Sequence, residues 1–210
     1  MTDITIKGAS VKTTGFLPAV GYMADDFLLT RTDLTDIGLK DFKGKNIVLN
    51  IFPSIDTGVC ASSVRRFNTE ATKLKDTVVL CVSLDLPFAH ARFCDAEGIK
   101  NVVPVSVFRH KDFMNTYGVV IDEGPLKGLL ARSVVVIDKT GAVIYSEVIR
   151  ELGEEPDYDD VLGSLTRSGI PVPPKKASTQ VPLDRCTYTA TAESSRTFND
   201  DEPCDDGRAG

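Results

Sequence analysis

The sequence has no stretch that approaches the roughly 20 consecutive apolar residues of a membrane-spanning helix. Its first residues, MTDITIKGASVKTTG, contain no continuous apolar run, so they do not resemble a secretory signal. Without an export signal, we expect a cytoplasmic protein whose thiols stay reduced. The five cysteines are also odd in number, which argues against a framework of fully paired disulfides.

Several ligand-binding patterns are missing as well. The net charge of −6 gives no indication of a surface for nucleic acid. The glycines of GVVIDEGPLKG are too widely spaced for a dinucleotide-binding fingerprint. The cysteines lack the paired spacing of zinc ligands. Ser63 stands three residues after Cys60, where a C-x-x-C oxidoreductase has its second thiol, so ordinary disulfide shuffling is disfavoured.

What the sequence does contain is an alternation of apolar strands and amphipathic helices. The predicted strands lie at residues 27–30, 46–52, 77–84, 102–108, 133–138 and 142–149, and the predicted helices lie at 60–74, 86–99 and 157–167. Residues 4–15 predict a small hairpin, and Pro104 places its strand near an edge of the sheet. This order predicts an α/β sandwich in which helices flank a central mixed sheet.

The character of the chain changes after Gly169. Residues 171–210 contain five prolines and only four residues of the Leu, Ile, Val and Phe types. So little apolar area cannot offset the cost of ordering about 40 residues, at roughly 1–2 kcal/mol each. We therefore predict a globular domain at residues 1–168 and an extended or disordered tail at 169–210.

The segment PSIDTGVC, residues 53–60, follows the strongest predicted strand. Pro53 ends that strand because proline cannot donate to a ladder, and Cys60 then falls at the start of a helix. Unpaired N–H groups and the helix dipole at that position favour a thiolate over a thiol. The alternative is that Cys60 is a small core residue on an apolar helix stripe, and its placement alone leaves both interpretations open.

The spacing Pro53-x-x-x-Thr57-x-x-Cys60 matches the signature of the peroxiredoxins. More narrowly, the segments FPSIDTGVC, DLPFAHARFC and GLLARSVVVID resemble bacterial thiol peroxidases, which are atypical two-cysteine peroxiredoxins. The resemblance extends from about residue 4 to residue 168. It implies a thioredoxin-like fold with an N-terminal β-hairpin, a homodimer, and an enzyme that reduces hydroperoxides without metal, haem or flavin.

The resemblance also implies roles for individual residues. Cys60 would be the peroxidatic cysteine, Thr57 would hydrogen-bond its sulfur and the peroxide, and Pro53 would shield the site from water. Arg132 would stabilise the thiolate and the transition state, although without the resemblance it would be taken for a surface arginine. Cys94 would resolve the oxidised Cys60 as an intrachain disulfide, which a thioredoxin-like dithiol would then reduce.

Other interpretations stay open at this stage. A peroxide-sensing module would use the same cysteine but bind or release a partner through the tail instead of turning over. A cysteine hydrolase would pair Cys60 with His90 or His110, although neither has a recognisable catalytic context and both are expected at the surface. Cys81 is expected to be structural. The cysteines of the tail, Cys186 and Cys204, are expected to be incidental.

Overall fold

The computed structural model describes residues 1–167. The predicted tail, residues 169–210, lies outside the described residues together with its two cysteines. Within residues 1–167, no helix is both long enough and apolar enough to cross a lipid bilayer.

Seven strands form one mixed sheet, and two more form a separate hairpin. The hairpin is β1 (Asp3–Ile6) with β2 (Ala9–Lys12), and the sheet comprises β3 (Leu28–Arg31), β4 (Asp36–Gly38), β5 (Asn46–Ile51), β6 (Thr77–Ser83), β7 (Val103–Ser106), β8 (Ser133–Ile137) and β9 (Val143–Val148). The spatial order is β4-β3-β7-β6-β5-β8-β9. Strands β5, β6 and β7 run parallel, whereas β8 and β9 add antiparallel at one side. The predicted mixed sheet and N-terminal hairpin are therefore confirmed.

Within the described part of the chain, four α-helices accompany the sheet: α1 (Gly58–Ala71), α2 (Pro87–Glu97), α3 (Asp112–Thr116) and α4 (Tyr158–Arg167). Helix α2 begins with proline in its first turn, where the missing N–H costs no hydrogen bond. It ends at Gly98, whose φ of 64° is the left-handed conformation that glycine adopts most easily. Both limits agree with the helix predicted from the sequence.

Strand β5 is the centre of the core. All six of its residues are buried, and its four apolar residues are divided between two apolar clusters because successive side chains point to opposite faces. Ile47, Leu49 and Ile51 join the cluster that includes α3. Val48 joins the cluster that contains Cys60 and the apolar face of α1. The chain that leaves β5 is therefore anchored on both faces of the sheet, which fixes where the next loop begins.

Three details differ from the expectation. Strand β4 was not predicted, because its three residues are too few to show an alternating pattern. Helix α3 was not predicted, because five residues are too few to show a helical period, although its Phe113 is buried and stacks on Tyr117 at 4.5 Å. Strand β7 is internal in the sheet. Its pairing with β3 covers only Val105 and Ser106, so Pro104 lies where β7 has a neighbour on one side alone, which is the condition that proline requires.

Candidate active site

The loop between β5 and α1 carries the peroxiredoxin-like signature. Pro53 is buried directly after β5, and Thr57 occupies the N-cap position of α1 with an extended backbone (φ −99°, ψ 142°). The Thr57 hydroxyl does not cap the helix. It lies 2.7 Å from the sulfur of Cys60 and 3.1 Å from the carbonyl oxygen of Ser54. The side chain that would ordinarily satisfy the helix end is therefore directed at the thiol.

Cys60 is completely buried in the first turn of α1. Its neighbours on the helix, Val64 and Phe67, belong to the same apolar cluster. The thiol is thus part of the core and at the same time contacts polar groups. A sulfur in this place has the positive end of the helix dipole beside it.

Arg132 reaches the same sulfur from another strand. The last residue of β5, Ile51, pairs with the first residue of β8, Ser133, and this register places Arg132 beside the loop that follows β5. Nη2 of Arg132 lies 3.4 Å from the sulfur of Cys60. The same nitrogen and Nε donate to the carbonyl oxygen of Leu152 at 3.2 and 3.3 Å.

The charge of Arg132 is unusual because the side chain is only 2% exposed. None of the ion pairs found within residues 1–167 involves it, and its Nη1 is buried without a hydrogen-bond partner there. A buried cation without an anion is strongly unfavourable. Besides the carbonyl oxygen of Leu152, the side chain that Arg132 contacts by a hydrogen bond within residues 1–167 is the Cys60 thiol.

Asp85, which the sequence patterns did not indicate as a site residue, holds the loop between β5 and α1 in place. Its carboxylate accepts hydrogen bonds from the Ser54 hydroxyl at 2.8 Å, the Ile55 N–H at 2.7 Å and the Ser83 hydroxyl at 2.7 Å. The only signal in the sequence is an acidic residue that follows a parallel strand. The carboxyl ends of parallel strands meet at one edge of a sheet, which is where ligand sites collect.

Cys94 lies on α2, partly buried against the apolar cluster that contains Cys60. All three described cysteines are free thiols. Burial raises the pKa of Cys94 to about 11, and the neighbouring Asp95 adds to this effect. Burial also raises the pKa of Cys81 to about 12, which suits a structural thiol in the middle of β6. The structure therefore joins Thr57, Cys60 and Arg132 by direct contacts and places Cys94 on another helix, where burial disfavours its thiolate form.

The expected surface position of the histidines is wrong for His90, which is only 1% exposed. His90 lies three residues before the buried Phe93, so both face inward on α2. Its Nε2 is 2.9 Å from the Ser83 hydroxyl. His110 is partly exposed and contacts Asp36 at 2.9 Å. Neither histidine forms a hydrogen bond with Cys60 within residues 1–167, and no group of three metal-ligating side chains occurs there.

The comparisons with known proteins agree with this geometry. The Redoxin family profile matches residues 17–162. The chain is 52% identical over 165 residues to the thiol peroxidase of Corynebacterium glutamicum, and the match covers 79% of this chain and 99% of the relative. A peroxiredoxin-like protein from Aquifex aeolicus is 39% identical, with a TM-score of 0.74 and coverage of 79% of this chain and 96% of the other.

The thiol peroxidase of Chromobacterium violaceum has the same fold, with a TM-score of 0.71 at 23% identity and coverage of 80% of this chain and 97% of the other. The family match spans most of the described domain and includes the cysteine-bearing loop. The chain therefore belongs to the Redoxin family, within the peroxiredoxins of the thiol peroxidase type, and is a peroxidase of the oxidoreductase class.

Proposed function

We propose that the Cys60 thiolate reduces hydrogen peroxide and alkyl hydroperoxides. The observation that carries this proposal is the contact of the Cys60 sulfur with both the Thr57 hydroxyl and the buried guanidinium of Arg132. A buried cation next to a thiol at a helix start favours the thiolate, which is the nucleophilic form of cysteine.

In the first step, the thiolate attacks the terminal oxygen of the hydroperoxide R–O–OH. A sulfur–oxygen bond forms while the O–O bond breaks, so Cys60 becomes a sulfenic acid and the alkoxide RO⁻ takes up a proton to leave as the alcohol. Sulfur loses two electrons and the peroxide gains them. Negative charge grows on the leaving oxygen, and fixed donors that face such charge in a site without water lower the barrier by several kcal/mol.

Three residues serve this step in the proposal. Arg132 stabilises the growing charge through its guanidinium, whose Nη1 is still without a partner. Thr57 orients the sulfur and the peroxide through its hydroxyl. Pro53, buried at the end of β5, excludes water from the sulfur.

In the second step, Cys94 resolves the sulfenic acid. Its thiol attacks the sulfur of Cys60, a disulfide forms, and the hydroxyl leaves as water. The raised pKa of Cys94, about 11, means that the docked thiol is protonated and weakly nucleophilic. A disulfide also requires the two Cα atoms to approach within roughly 7 Å. We expect a local opening around Cys60 or of α2 to bring the two thiols together, after which a thioredoxin-like dithiol exchanges with the disulfide and restores both thiols.

The test is steady-state turnover coupled to thioredoxin, with hydrogen peroxide and a bulky alkyl hydroperoxide as alternative substrates. We expect sustained consumption of peroxide by the native protein and none by the Cys60→Ser variant. A single stoichiometric burst without turnover would instead support a peroxide-sensing module. Hydrolysis of esters without disulfide formation would support a cysteine hydrolase.

The family resemblance also supports a homodimer in a reducing, cytoplasmic compartment. Light scattering coupled to size-exclusion chromatography of the reduced protein tests the dimer directly. A mass of about one chain at micromolar concentration would contradict it.

A further inference from the structure

A continuous set of hydrogen bonds joins the inner face of α2 to the loop that carries the cysteine signature. It begins at His90, continues through Ser83 at the end of β6, and reaches the carboxylate of Asp85. That carboxylate in turn accepts from the Ser54 hydroxyl and the Ile55 N–H. The groups lie on three segments, namely α2, the end of β6 with the residues that follow it, and the loop after β5, so the bonds hold these three segments together.

The protons of this set can be assigned from the donors and acceptors. The Ser83 hydroxyl has one hydrogen, and its 2.7 Å bond to the Asp85 carboxylate uses it. The Ser83 oxygen must then accept from the Asp85 N–H at 3.1 Å and from His90 Nε2–H at 2.9 Å. This tautomer leaves Nδ1 of His90 as a bare lone pair, in agreement with its lack of a partner among the described residues. All hydrogen-bonding sites of the hydroxyl are filled.

From Asp85 the contacts continue to the sulfur. The Ser54 hydroxyl donates to Asp85, and the Ser54 carbonyl oxygen accepts from the Thr57 N–H at 3.2 Å. The Thr57 hydroxyl lies 3.1 Å from the same carbonyl oxygen and 2.7 Å from the Cys60 sulfur, and its one hydrogen is shared between these two acceptors. The place of Ser54 therefore determines where the Thr57 hydroxyl points.

We propose that Asp85 is a positioning residue for the reaction of Cys60 with peroxide, that it acts through Ser54 and Thr57, and that His90 holds it in place through Ser83. The proposal rests on the function proposed above for Cys60. Asp85 touches neither the sulfur nor, by inference, the peroxide. Its effect is to keep the Thr57 hydroxyl in the geometry that the transition state needs, for which small displacements are costly.

The test uses the Cys94→Ser background, in which the first oxidation is observed alone. Rapid-mixing kinetics with hydrogen peroxide should show that Asp85→Asn slows formation of the sulfenic acid by about tenfold or more, the scale of one lost hydrogen bond to a charged group. Alkylation of Cys60 by iodoacetamide should change little, because Arg132 still faces the sulfur. A residue that only stabilised the fold would change both reactions together.

Three further variants test which residues transmit the effect of Asp85 on the oxidation rate. In a Thr57→Val background, Asp85→Asn should add no further loss, because the hydroxyl that it positions is absent. His90→Leu should slow the oxidation, and His90→Gln, which keeps a side-chain N–H donor, should restore the native rate. The control is Asp112→Asn, an exposed carboxylate on α3, which should react at the native rate.

If Asp85→Asn does not fold, Ser54→Ala removes the same link at its other end and should give a similar loss. Oxidation at the native rate in a folded Asp85→Asn or Ser54→Ala variant would overturn the proposal, and so would an equal loss in the Thr57→Val background. These outcomes leave the function proposed for Cys60 intact. That function fails separately if the Cys60→Ser variant still consumes peroxide.

Discussion

Nη2 of Arg132 lies 3.4 Å from the sulfur of Cys60, and both side chains are closed off from solvent. The two residues are 72 positions apart in the sequence. With no carboxylate bound to Arg132 within residues 1–167, the pair is a buried cation in direct contact with a thiol. We therefore expect substitutions of this pair to change both the reactivity with peroxide and the free energy of unfolding.

Replacement of the Cys60 thiol should show how strongly a buried Arg132 without an anion lowers the free energy of unfolding. Cys60→Ser leaves Arg132 without an anion, and breaking a buried pair in this way typically costs about 3–5 kcal/mol. We expect Cys60→Ser to lower the free energy of unfolding on this scale. The double variant Cys60→Ser/Arg132→Met should be more stable than Cys60→Ser alone. Urea denaturation of the reduced proteins measures all three values, and a Cys60→Ser variant as stable as the native protein would rule out the charged pair.

Thr57 should contribute to the peroxide reaction through the hydrogen-bond donor of its hydroxyl and not through the shape of its side chain. Thr57→Ser retains the hydroxyl and should keep most of the peroxide reactivity. Thr57→Val, which has nearly the same volume, should lose at least about a hundredfold, the scale of one positioned donor. The second-order rate constant with hydrogen peroxide measures this difference. Equal rates for the valine variant and the native protein would remove Thr57 from the site.

Cys94 should affect recycling and leave the first oxidation unchanged. Cys94→Ser should form the sulfenic acid at the native rate, fail to turn over with thioredoxin, and proceed to the sulfinic acid in excess peroxide. Peptide mapping of the oxidised native protein should find one intrachain link between Cys60 and Cys94. A link from Cys60 to Cys186 or Cys204 would assign resolution to the tail instead. The matched control is Cys81→Ala, which should retain recycling.

His90 should make the domain less stable in acid. Burial lowers its pKa from 6.5 to about 4, although Asp85 and Asp56 oppose the change. Between about pH 6.5 and pH 4, the imidazole of His90 is protonated in the unfolded state and neutral in the folded state. The contribution of His90 to the free energy of unfolding is therefore complete above about pH 6.5 and is lost as the pH falls to about 4. The loss is on the order of 3 kcal/mol, at about 1.36 kcal/mol for each pKa unit.

Denaturant titrations of the native protein and His90→Gln between pH 7 and pH 4 measure this contribution. The native protein should lose more stability than the variant over that range, because glutamine does not titrate. The carboxylates whose pKa is lowered in the folded state, such as Glu151 and Asp36, act in both proteins and cancel in the comparison. Parallel curves for the two proteins would contradict the prediction.

The tail should be dispensable for the peroxidase reaction. The aligned region covers 99% of the Corynebacterium glutamicum relative but only 79% of this chain, so that relative has no counterpart for about a fifth of the sequence. Deletion of residues 171–210 should leave turnover and melting temperature nearly unchanged. A large fall in melting temperature after deletion would show that the tail packs on the domain.

Local patterns were sufficient to predict the elements that position the cysteine. An uninterrupted apolar run predicts β5 as a strand covered on both faces, and Pro53 predicts where it ends, because these features depend on neighbouring residues alone. Cys60 at a helix start follows from the same reasoning. The peroxiredoxin signature lies within eight consecutive residues, so it could be recognised without any knowledge of the fold.

The sequence could not predict which distant groups meet the sulfur. The sequence around Arg132 indicates a surface arginine at the start of a strand. The sequence around His90 indicates a surface residue of a weakly amphipathic helix. Their burial depends on the register of β8 against β5 and on which face of α2 contacts the sheet. Asp85 lies 30 residues beyond Ile55, whose N–H donates a hydrogen bond to the Asp85 carboxylate. Such contacts depend on long-range pairing, whose energy comes from burial over the whole sheet and is not encoded in any short segment.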